Sequence, residues 1–405
     1  MIPFSPPRID DKIVAEVSAA LRSGWITTGP RTKRFEQEIS AYTGATKSVC
    51  FGSATAGLEL ALRWLGIGQG DEVIIPAYTY CATANVVIHC GAVPVMVDCL
   101  PGAFNLDPEA VRRAVSSRTK AIIPVDIAGF PCDYDALWSI VEDPAVVSQF
   151  EPSGPLQQAL GRIALLADSA HGFGARYKGR MLGSIADGTG FSFHAVKNLT
   201  TAEGGAICLK FPLHFDHEEA YKWLTTMSLH GQNKDALAKT QKGAWRYDVI
   251  APGYKCNMTD LQAAIGLVEL ERYESETIPR RRMLAEAYNA ALSAFDWALL
   301  PTFKMGNTES SYHLYQLRIE GLDESGRDAV IAEIAARDVA VNVHFIPLPM
   351  LSAYRNLGYR MEDYPNAYKQ YANEISLPLY YDLSEAQVAE VVDAVAAAVH
   401  KVMVA

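Results

Sequence analysis

The feature that most constrains the fold is an alternation, between about residues 35 and 210, of apolar β-branched runs with helical patterns. The runs "DEVIIPAY", "VPVMVDC", "KAIIPVDIAG" and "RIALLADSAH" are continuously apolar, which is typical of parallel strands buried on both faces. Between them lie helical segments such as "LDPEAVRRAVSS", where Asp107 is placed as N-cap and Pro108 as first helical residue. This alternation predicts an α/β domain with a mostly parallel sheet.

The pattern changes in the last third of the chain. A long helix is predicted at "NMTDLQAAIGLVELERYES", opened by a capping box at Thr259, and another at Ser384 opens the last helix. Between them, "YHLYQLRI" and "VAVNVHFI" are predicted as strands around the helix "GRDAVIAEIAARD". We therefore expect a large α/β domain over residues 1–275 and a smaller α+β domain over 276–405. The segment 143–161 has no clean periodicity and is predicted to be a surface insertion.

Composition excludes several classes of protein. The 405 residues carry a formal net charge of −10, and no basic block offers a nucleic-acid surface. The longest apolar stretch is interrupted by Pro76, His89 and Pro94, so a core is expected rather than a membrane span. The 7 cysteines are scattered without a CxxC pair, which indicates free thiols, a cytoplasmic location and no metal site.

Two glycine patterns resemble nucleotide-binding loops, but each lacks a residue that such a loop requires. "GWITTGPRT" has Pro30 where a P-loop requires lysine. "GFGARYKG" begins like a dinucleotide fingerprint, but Tyr177 stands where a small residue is required for helix–strand packing. A turn is favoured there, and an NAD-dependent sugar enzyme remains an alternative.

Several polar and aromatic residues follow predicted strands or begin helices. Asp168 ends a buried strand, where open α/β sheets bind ligands, and His171 follows it; turn or packing roles are the alternatives. The helix start at "FGSATAGLEL", with Thr55, can hold a phosphate, although many Ser/Thr-initiated helices look similar. Tyr78 and Tyr80 follow a strand and either pack in the core or cover a flat heterocycle.

Lys197 lies between two predicted buried strands, "GTGFSFHAV" and "TTAEGGAICL". It is either an ordinary solvated lysine at a turn or an amine whose burial lowers its pKa for attack on a carbonyl. Combined with an acid for a pyridinium nitrogen, a phosphate-binding helix start and a stacking aromatic ring, it matches the requirements of pyridoxal phosphate.

These residues lie in motifs that resemble the DegT/StrS-type sugar aminotransferases, pyridoxal-phosphate enzymes of fold type I, especially those that aminate UDP-linked 4-keto sugars. The resemblance covers nearly the whole chain, through "SGWITTGPRTKRFE", "SATAGLELAL", "ADSAHGFGARYKG", "FSFHAVKNLTTAEGGA" and "GYKCNMTDLQAAIG". It implies an aspartate-aminotransferase-like fold, with a large domain around a mostly parallel mixed sheet and a smaller C-terminal α+β domain.

The resemblance implies four roles around the cofactor ring. Lys197 would bond to the cofactor and afterwards move the proton. Asp168 would pair with the pyridine nitrogen, and His171 would lie near the ring hydroxyl. Tyr80 would stack on the ring.

The resemblance also implies a phosphate site shared between two subunits of a homodimer. Ala54 (by its backbone), Thr55 and Ser192 would hold the phosphate. The segment "GYKCNMTD" would reach in from the second subunit and bring Asn257 or Lys255 near the phosphate.

The implied reaction moves an amino group from L-glutamate to a nucleotide-linked 4-keto sugar, for a bacterial surface glycan or another amino-sugar product. Alternatives are a dehydrase of the same fold, a 3-keto-sugar aminotransferase and a pyridoxal-phosphate-binding regulator without turnover. Relatives that act as dehydrases have histidine in place of the lysine, so Lys197 argues against that alternative. "DIAG" at Asp126–Gly129 and Pro349 depart from many members, and these departures leave the sugar open.

Overall fold

A computed structural model describes residues 1–233 and 246–404. Its strands, in chain order, are β1 (Lys47–Phe51), β2 (Glu72–Pro76), β3 (Val93–Val97), β4 (Thr119–Ile122), β5 (Ala164–Asp168), β6 (Arg176–Tyr177), β7 (Arg180–Met181), β8 (Gly188–Ser192), β9 (Gly205–Leu209), β10 (Ala298–Leu299), β11 (Lys304–Met305), β12 (Thr308–Glu309), β13 (Tyr315–Ile319) and β14 (Glu374–Leu377). The α-helices in the described ranges are α1 (Asp11–Arg22), α2 (Pro30–Thr43), α3 (Ala54–Trp64), α4 (Cys81–His89), α5 (Pro108–Ala114), α6 (Tyr134–Val141), α7 (Pro144–Gln149), α8 (Pro155–Leu160), α9 (His217–Ser228), α10 (Asp260–Glu271), α11 (Ile278–Leu292), α12 (Glu324–Ala335), α13 (Ser352–Arg355), α14 (Pro365–Ala372) and α15 (Glu385–Val404).

A seven-stranded sheet in the order β1-β9-β8-β5-β4-β2-β3 forms the centre of the molecule. Strand β9 runs antiparallel to β1 and β8, and the remaining neighbours are parallel. The predicted α/β class with a mostly parallel mixed sheet is confirmed. Parallel strands end at a common edge, so the loops after β2, β4, β5 and β8 meet there and can build a site.

Both faces of the central sheet are buried, as the continuous apolar runs predicted. In β2, Val73 and Ile75 belong to one hydrophobic core, whereas Ile74 belongs to the core on the opposite face. In β5, Leu166 and Leu165 divide in the same way. Each such side chain contributes about 1.5–3 kcal/mol on burial, so the sheet is a stable platform for the loops at its edge.

The helix starts follow the predicted capping residues. The carboxylate of Asp107 accepts from the Glu109 backbone N–H (3.0 Å), and Pro108 is the first residue of α5. The capping box at Thr259 opens α10, and the Ser384 hydroxyl accepts from the Gln387 N–H (3.1 Å) before α15. These interactions are local in sequence, which is why the sequence predicts them well.

A second, three-stranded sheet of order β10-β13-β14 follows, packed with α11, α12 and α15 around a third core. A further four-stranded sheet, β11-β12-β6-β7, joins a hairpin of the first part of the chain to a hairpin of the last part. The division of the chain into domains at 275/276 stays a prediction. Within the described residues, no helix has the length and apolarity required to cross a bilayer.

The predicted strand at "VAVNVHFI" is wrong. This segment makes only single bridges, from Val339 to Ile2 and from Asn342 to Ser376. The backbone N–H of His344 donates to the carboxyl of Glu374 (3.0 Å), so a side chain replaces the backbone partner that would extend the pairing to β14. The predicted insertion at 143–161 contains the short helices α7 and α8.

Candidate active site

A cavity of about 480 Å³ opens at the carboxyl edge of the central sheet. It brings together predicted site residues from four separate parts of the chain: Ala54, Thr55, Tyr80, Asp168, His171, Ser192 and Lys197. Residues of the C-terminal part, including His313 and His344, complete the wall. The cavity is therefore built between the central sheet and the second sheet.

Lys197 follows β8 in a tight loop, where its backbone N–H donates to the His194 carbonyl (2.9 Å). Burial lowers the pKa of the Lys197 amine to about 8, and the negative charge of Asp168 opposes this shift. Half of the Lys197 side chains are consequently neutral near pH 8, whereas an ordinary lysine would be almost fully charged. A neutral amine is the form that attacks a carbonyl carbon.

Asp168 is the last residue of β5 and is only 5% exposed. One carboxylate oxygen accepts from the Thr83 hydroxyl (2.8 Å), and the other accepts from the Ala170 backbone N–H (3.2 Å). Burial raises the pKa of Asp168, while these hydrogen bonds and the Lys197 charge oppose the rise. A buried carboxyl group at this edge suits a cationic ring nitrogen, whose charge compensates for the desolvation.

His171 lies beside a second histidine, His313, which no sequence motif marked as a site residue. Its Nδ1 accepts from the Ala128 backbone N–H (3.2 Å), so the neutral ring carries its proton on Nε2. The ring centroid of His313 is 4.5 Å away, and Phe345 is stacked at 5.6 Å. Burial and the Lys197 charge hold the pKa of His171 well below its usual range, so the ring is neutral at physiological pH.

The first turn of α3 and the end of β8 form a polar end of the cavity. Ala54 and Thr55 are the first residues of α3, where backbone N–H groups have no partner within the helix. The Ser53 hydroxyl satisfies one of them by accepting from the Ala56 N–H (3.2 Å), and Ser192 lines the same cavity. This combination of hydroxyls and a helix N-terminus fits a phosphate group.

Gly205 makes the close approach behind this polar end possible. A Cβ built on Gly205 would lie 2.2 Å from the Ala54 backbone nitrogen, a distance that no side chain tolerates. The first turn of α3 therefore lies directly against the start of β9. With the amine, the carboxylate and the phosphate end in one cavity, the donor set fits pyridoxal phosphate.

Tyr80 is the N-cap residue of α4 and lines the outer part of the cavity. The residue is 59% exposed, and its ring lies tilted against Phe345, with 5.6 Å between the ring centroids. An exposed aromatic face beside the amine and carboxylate is free to cover a planar ring.

Asn257 does not line the cavity around Lys197. Its side-chain amide donates to the Thr28 hydroxyl (2.6 Å) and accepts a hydrogen bond from Lys255. It lines a separate cavity of about 240 Å³ together with Thr28 and Glu36. A role for Asn257 at the phosphate of a second subunit stays a prediction.

Three residues of the site carry no signal in the sequence. Thr83, which holds Asp168, lies inside α4, and His313 and His344 come from segments predicted only as strands. Chain topology alone brings them to the cavity. The glycine pattern at Tyr177 forms the hairpin β6–β7, which leaves the dinucleotide alternative without the helix that it requires. No cluster of metal-ligating side chains occurs in the described ranges.

Solved structures with high similarity cover nearly the whole chain. One described as a putative sugar aminotransferase Spr1654 from Streptococcus pneumoniae, PMP-form, has a TM-score of 0.95 at 48% identity and covers 99% of this chain and 100% of that one. Its PLP-form has a TM-score of 0.94 at 47% identity, with 99% of each chain covered.

A curated relative and a family model cover the same extent. The spore coat polysaccharide biosynthesis protein SpsC of Bacillus subtilis (strain 168) is 38% identical over 401 residues, which are 97% of this chain and 96% of that protein. A model of the DegT/DnrJ/EryC1/StrS aminotransferase family matches residues 7–148 and 157–396. The unmatched residues between the two ranges lie in the segment predicted as an insertion.

Proposed function

We propose that this chain, which belongs to the DegT/DnrJ/EryC1/StrS aminotransferase family, transfers an amino group from L-glutamate to a nucleotide-linked 4-keto sugar. The chain is a pyridoxal-phosphate-dependent sugar aminotransferase with the fold of that enzyme class. The donor, the nucleotide and the position of the keto group are the proposed part.

The observation that carries the proposal is the placement of Lys197, Asp168 and the start of α3 around one cavity. When bound, pyridoxal phosphate supplies a sink for the electrons that remain when a Cα–H bond of the donor breaks. Asp168 would hold the proton on the ring nitrogen, and Thr83 fixes the orientation of its carboxylate. Lys197 would accept the proton that leaves the donor Cα and return it to the cofactor side.

The remaining residues would bind and orient the cofactor. Ala54, Thr55 and Ser192 would hold its phosphate, and Tyr80 would cover the outer face of the ring. His171, neutral and fixed by Ala128, would donate from Nε2 toward the ring hydroxyl. Each of these residues would either bind the cofactor or hold a proton.

The keto-sugar substrate is supported by the names of the relatives, which are a sugar aminotransferase and a spore coat polysaccharide biosynthesis protein. Such products enter surface glycans, including lipopolysaccharide, so we propose this pathway class and a cytoplasmic location, where nucleotide sugars are made. We also propose a homodimer with shared active sites, in which Asn257 of one chain would serve the cavity of the other.

The test is a substrate panel. Purified enzyme with pyridoxal phosphate and glutamate is offered UDP-, dTDP- and GDP-linked 4-keto sugars, with 3-keto sugars as the matched alternative, and 2-oxoglutarate release is measured. We expect catalytic release with a 4-keto sugar, beyond the one equivalent per active site that glutamate alone gives. Turnover of 3-keto sugars alone, or of none of the panel, would refute it, and loss of a sugar hydroxyl without nitrogen uptake would identify a dehydrase.

A further inference from the structure

His344 projects into the same cavity and is held from behind by two buried residues. Its Nδ1 is 2.9 Å from the Ser376 hydroxyl, and that hydroxyl bonds in turn to a carboxyl oxygen of Glu374 (2.5 Å). Glu374 and Ser376 lie in β14 and are both 0% exposed. The three groups form one chain of hydrogen bonds that runs from the second sheet to the cavity.

The backbone of His344 is fixed as firmly as its ring. The other carboxyl oxygen of Glu374 accepts from the His344 N–H (3.0 Å). The His344 carbonyl accepts from the Tyr78 hydroxyl (2.5 Å) and the Gln316 amide (2.6 Å). Phe4 is stacked on the imidazole at 5.4 Å. Because Nδ1 is engaged by Ser376, Nε2 is the ring nitrogen available to the cavity.

The hydrogen-bond chain couples the protonation of Glu374 to the tautomer of His344. If Glu374 is protonated, it donates to Ser376, the serine donates to Nδ1, and the neutral ring must carry its proton on Nε2. If Glu374 is ionised, the serine donates to the carboxylate and accepts from Nδ1–H, which leaves Nε2 as an acceptor. The buried carboxyl thus decides whether His344 offers a donor or an acceptor.

The protonated form of Glu374 prevails at neutral pH. Burial raises the pKa of Glu374 to about 8, although the bonds from Ser376 and the His344 N–H and the charges of Arg327 and Arg318 oppose the rise. Neither arginine forms an ion pair with this carboxyl in the described chain: Arg327 pairs with Asp328, and Arg318 donates to the Gln370 amide oxygen. An unpaired buried carboxyl is more stable in its neutral form.

The carboxylate of an amino donor needs a hydrogen-bond donor in the cavity. An amino donor carries a carboxylate, yet none of the cavity-lining residues of the described chain is an arginine. We propose that Glu374 and Ser376 act as positioning residues that hold His344 in its Nε2–H tautomer, and that this N–H binds the carboxylate of the amino donor. Because the neutral imidazole adds no positive charge near Lys197, it does not lower the pKa of the lysine amine further. The inference rests on the proposed function for the identity of the donor.

The tautomer is measured directly by long-range 1H–15N spectra of protein with 15N-labelled histidine, with H344Q used to assign the signals. We expect the Nε2–H form at pH 6.5 and conversion to the Nδ1–H form as pH rises through about 8. E374Q, in which the amide donates to Ser376, is expected to keep Nε2–H at both pH values. An Nδ1–H form at pH 6.5 would overturn the relay.

The groups that face Glu374 from the neighbouring elements do not titrate in this window. The arginines stay charged, Tyr78 has a pKa well above its usual range because it is buried, and burial raises the pKa of Cys99 to about 12. Burial lowers the pKa of His344 itself to about 4. Lys197 does titrate near pH 8, so a transition that persists in E374Q would belong to Lys197 and overturn the assignment to Glu374.

Kinetics test the carboxylate contact separately. H344F is expected to raise the KM for glutamate about tenfold or more, and H344Q, which keeps an N–H at similar reach, is expected to restore most of the loss. A rise confined to the KM for the keto sugar would overturn the contact with the donor. If wild-type enzyme has no activity with glutamate at all, the proposed function fails, whereas the tautomer result stands on its own.

Discussion

Replacing Asp168 by asparagine tests whether the buried carboxylate supports the chemistry through its charge. The substitution keeps the shape, and an asparagine can still bond to Thr83 and to the Ala170 N–H. What disappears is the negative charge opposite the ring nitrogen. A charge-assisted hydrogen bond contributes about 1.5–3 kcal/mol. At 1.36 kcal/mol per factor of ten, this is a loss of about 10- to 160-fold in the rate of the glutamate half-reaction.

The upper part of that range is expected because Asp168 is 5% exposed, so water cannot take over the lost role. The assay is single-turnover absorbance of the cofactor after addition of glutamate. A second readout is independent of turnover: because the Asp168 charge raises the pKa of Lys197, its removal shifts the pH midpoint of cofactor attachment further below 8.

Asp126 offers a matched control. It is another buried carboxyl group, held by the hydroxyls of Tyr134 (2.7 Å) and Ser169 and by the Cys132 N–H (2.8 Å), and it does not line the cavity. D126N is expected to lower the melting temperature without changing the half-reaction rate of the folded enzyme. A D168N enzyme with the wild-type rate and an unchanged pH midpoint would show that the charge of Asp168 does not support the reaction.

Three further predictions concern the amine, the phosphate end and the outer wall of the cavity. Because burial lowers the pKa of Lys197 to about 8, the rate of cofactor attachment, measured by absorbance, should rise from pH 6 to 8 and level off above pH 8. K197A should show no attachment. Attachment of the cofactor to K197A at the wild-type rate would contradict the role of Lys197 as the attaching amine. G205A places a methyl group against the start of α3. It should lower the free energy of unfolding by about 1–3 kcal/mol in urea titrations and weaken cofactor binding. G154A, whose methyl group meets no atom within 4 Å, should leave cofactor binding unchanged. Y80A should raise the Kd for the cofactor about 5- to 10-fold in fluorescence titrations, because it loses roughly 1–1.5 kcal/mol of ring contact. Y80F keeps the ring and should leave the Kd unchanged. Equal effects of both variants would show that the hydroxyl, and not the ring, contributes to binding.

The sequence predicted the central sheet and its helices because their signals are local. The continuous apolar runs fill two cores, and the caps at Asp107 and Thr259 bond within two or three residues. It failed at "VAVNVHFI", where the β-branched composition is that of a strand. There the partner of the His344 N–H is the side chain of Glu374, which is 30 residues away, and no local pattern encodes that choice.

The residues of the candidate site also fall into a group that the sequence predicted and a group that it did not. Asp168 and Ser192 end strands of the sheet and Lys197 follows one, so their meeting at one edge is predictable from the alternation of strands and helices. His313 precedes β13, and His344 lies in a loop beside β14, so their approach depends on how the two sheets pack. A sequence motif shows only the order of residue types along the chain. The packing of distant segments depends on all of the buried contacts together, so a motif does not predict it.

Transfer of nitrogen from glutamate to the sugar can be followed with an isotope label. Enzyme, pyridoxal phosphate, [15N]glutamate and a nucleotide-linked 4-keto sugar are incubated, and the sugar product is analysed by 13C–15N correlation. We expect 15N bonded to C4 of the sugar with wild-type enzyme and none with K197A. A product that lacks 15N, or that carries it with K197A as well, would show that Lys197 does not transfer nitrogen from glutamate to a 4-keto sugar.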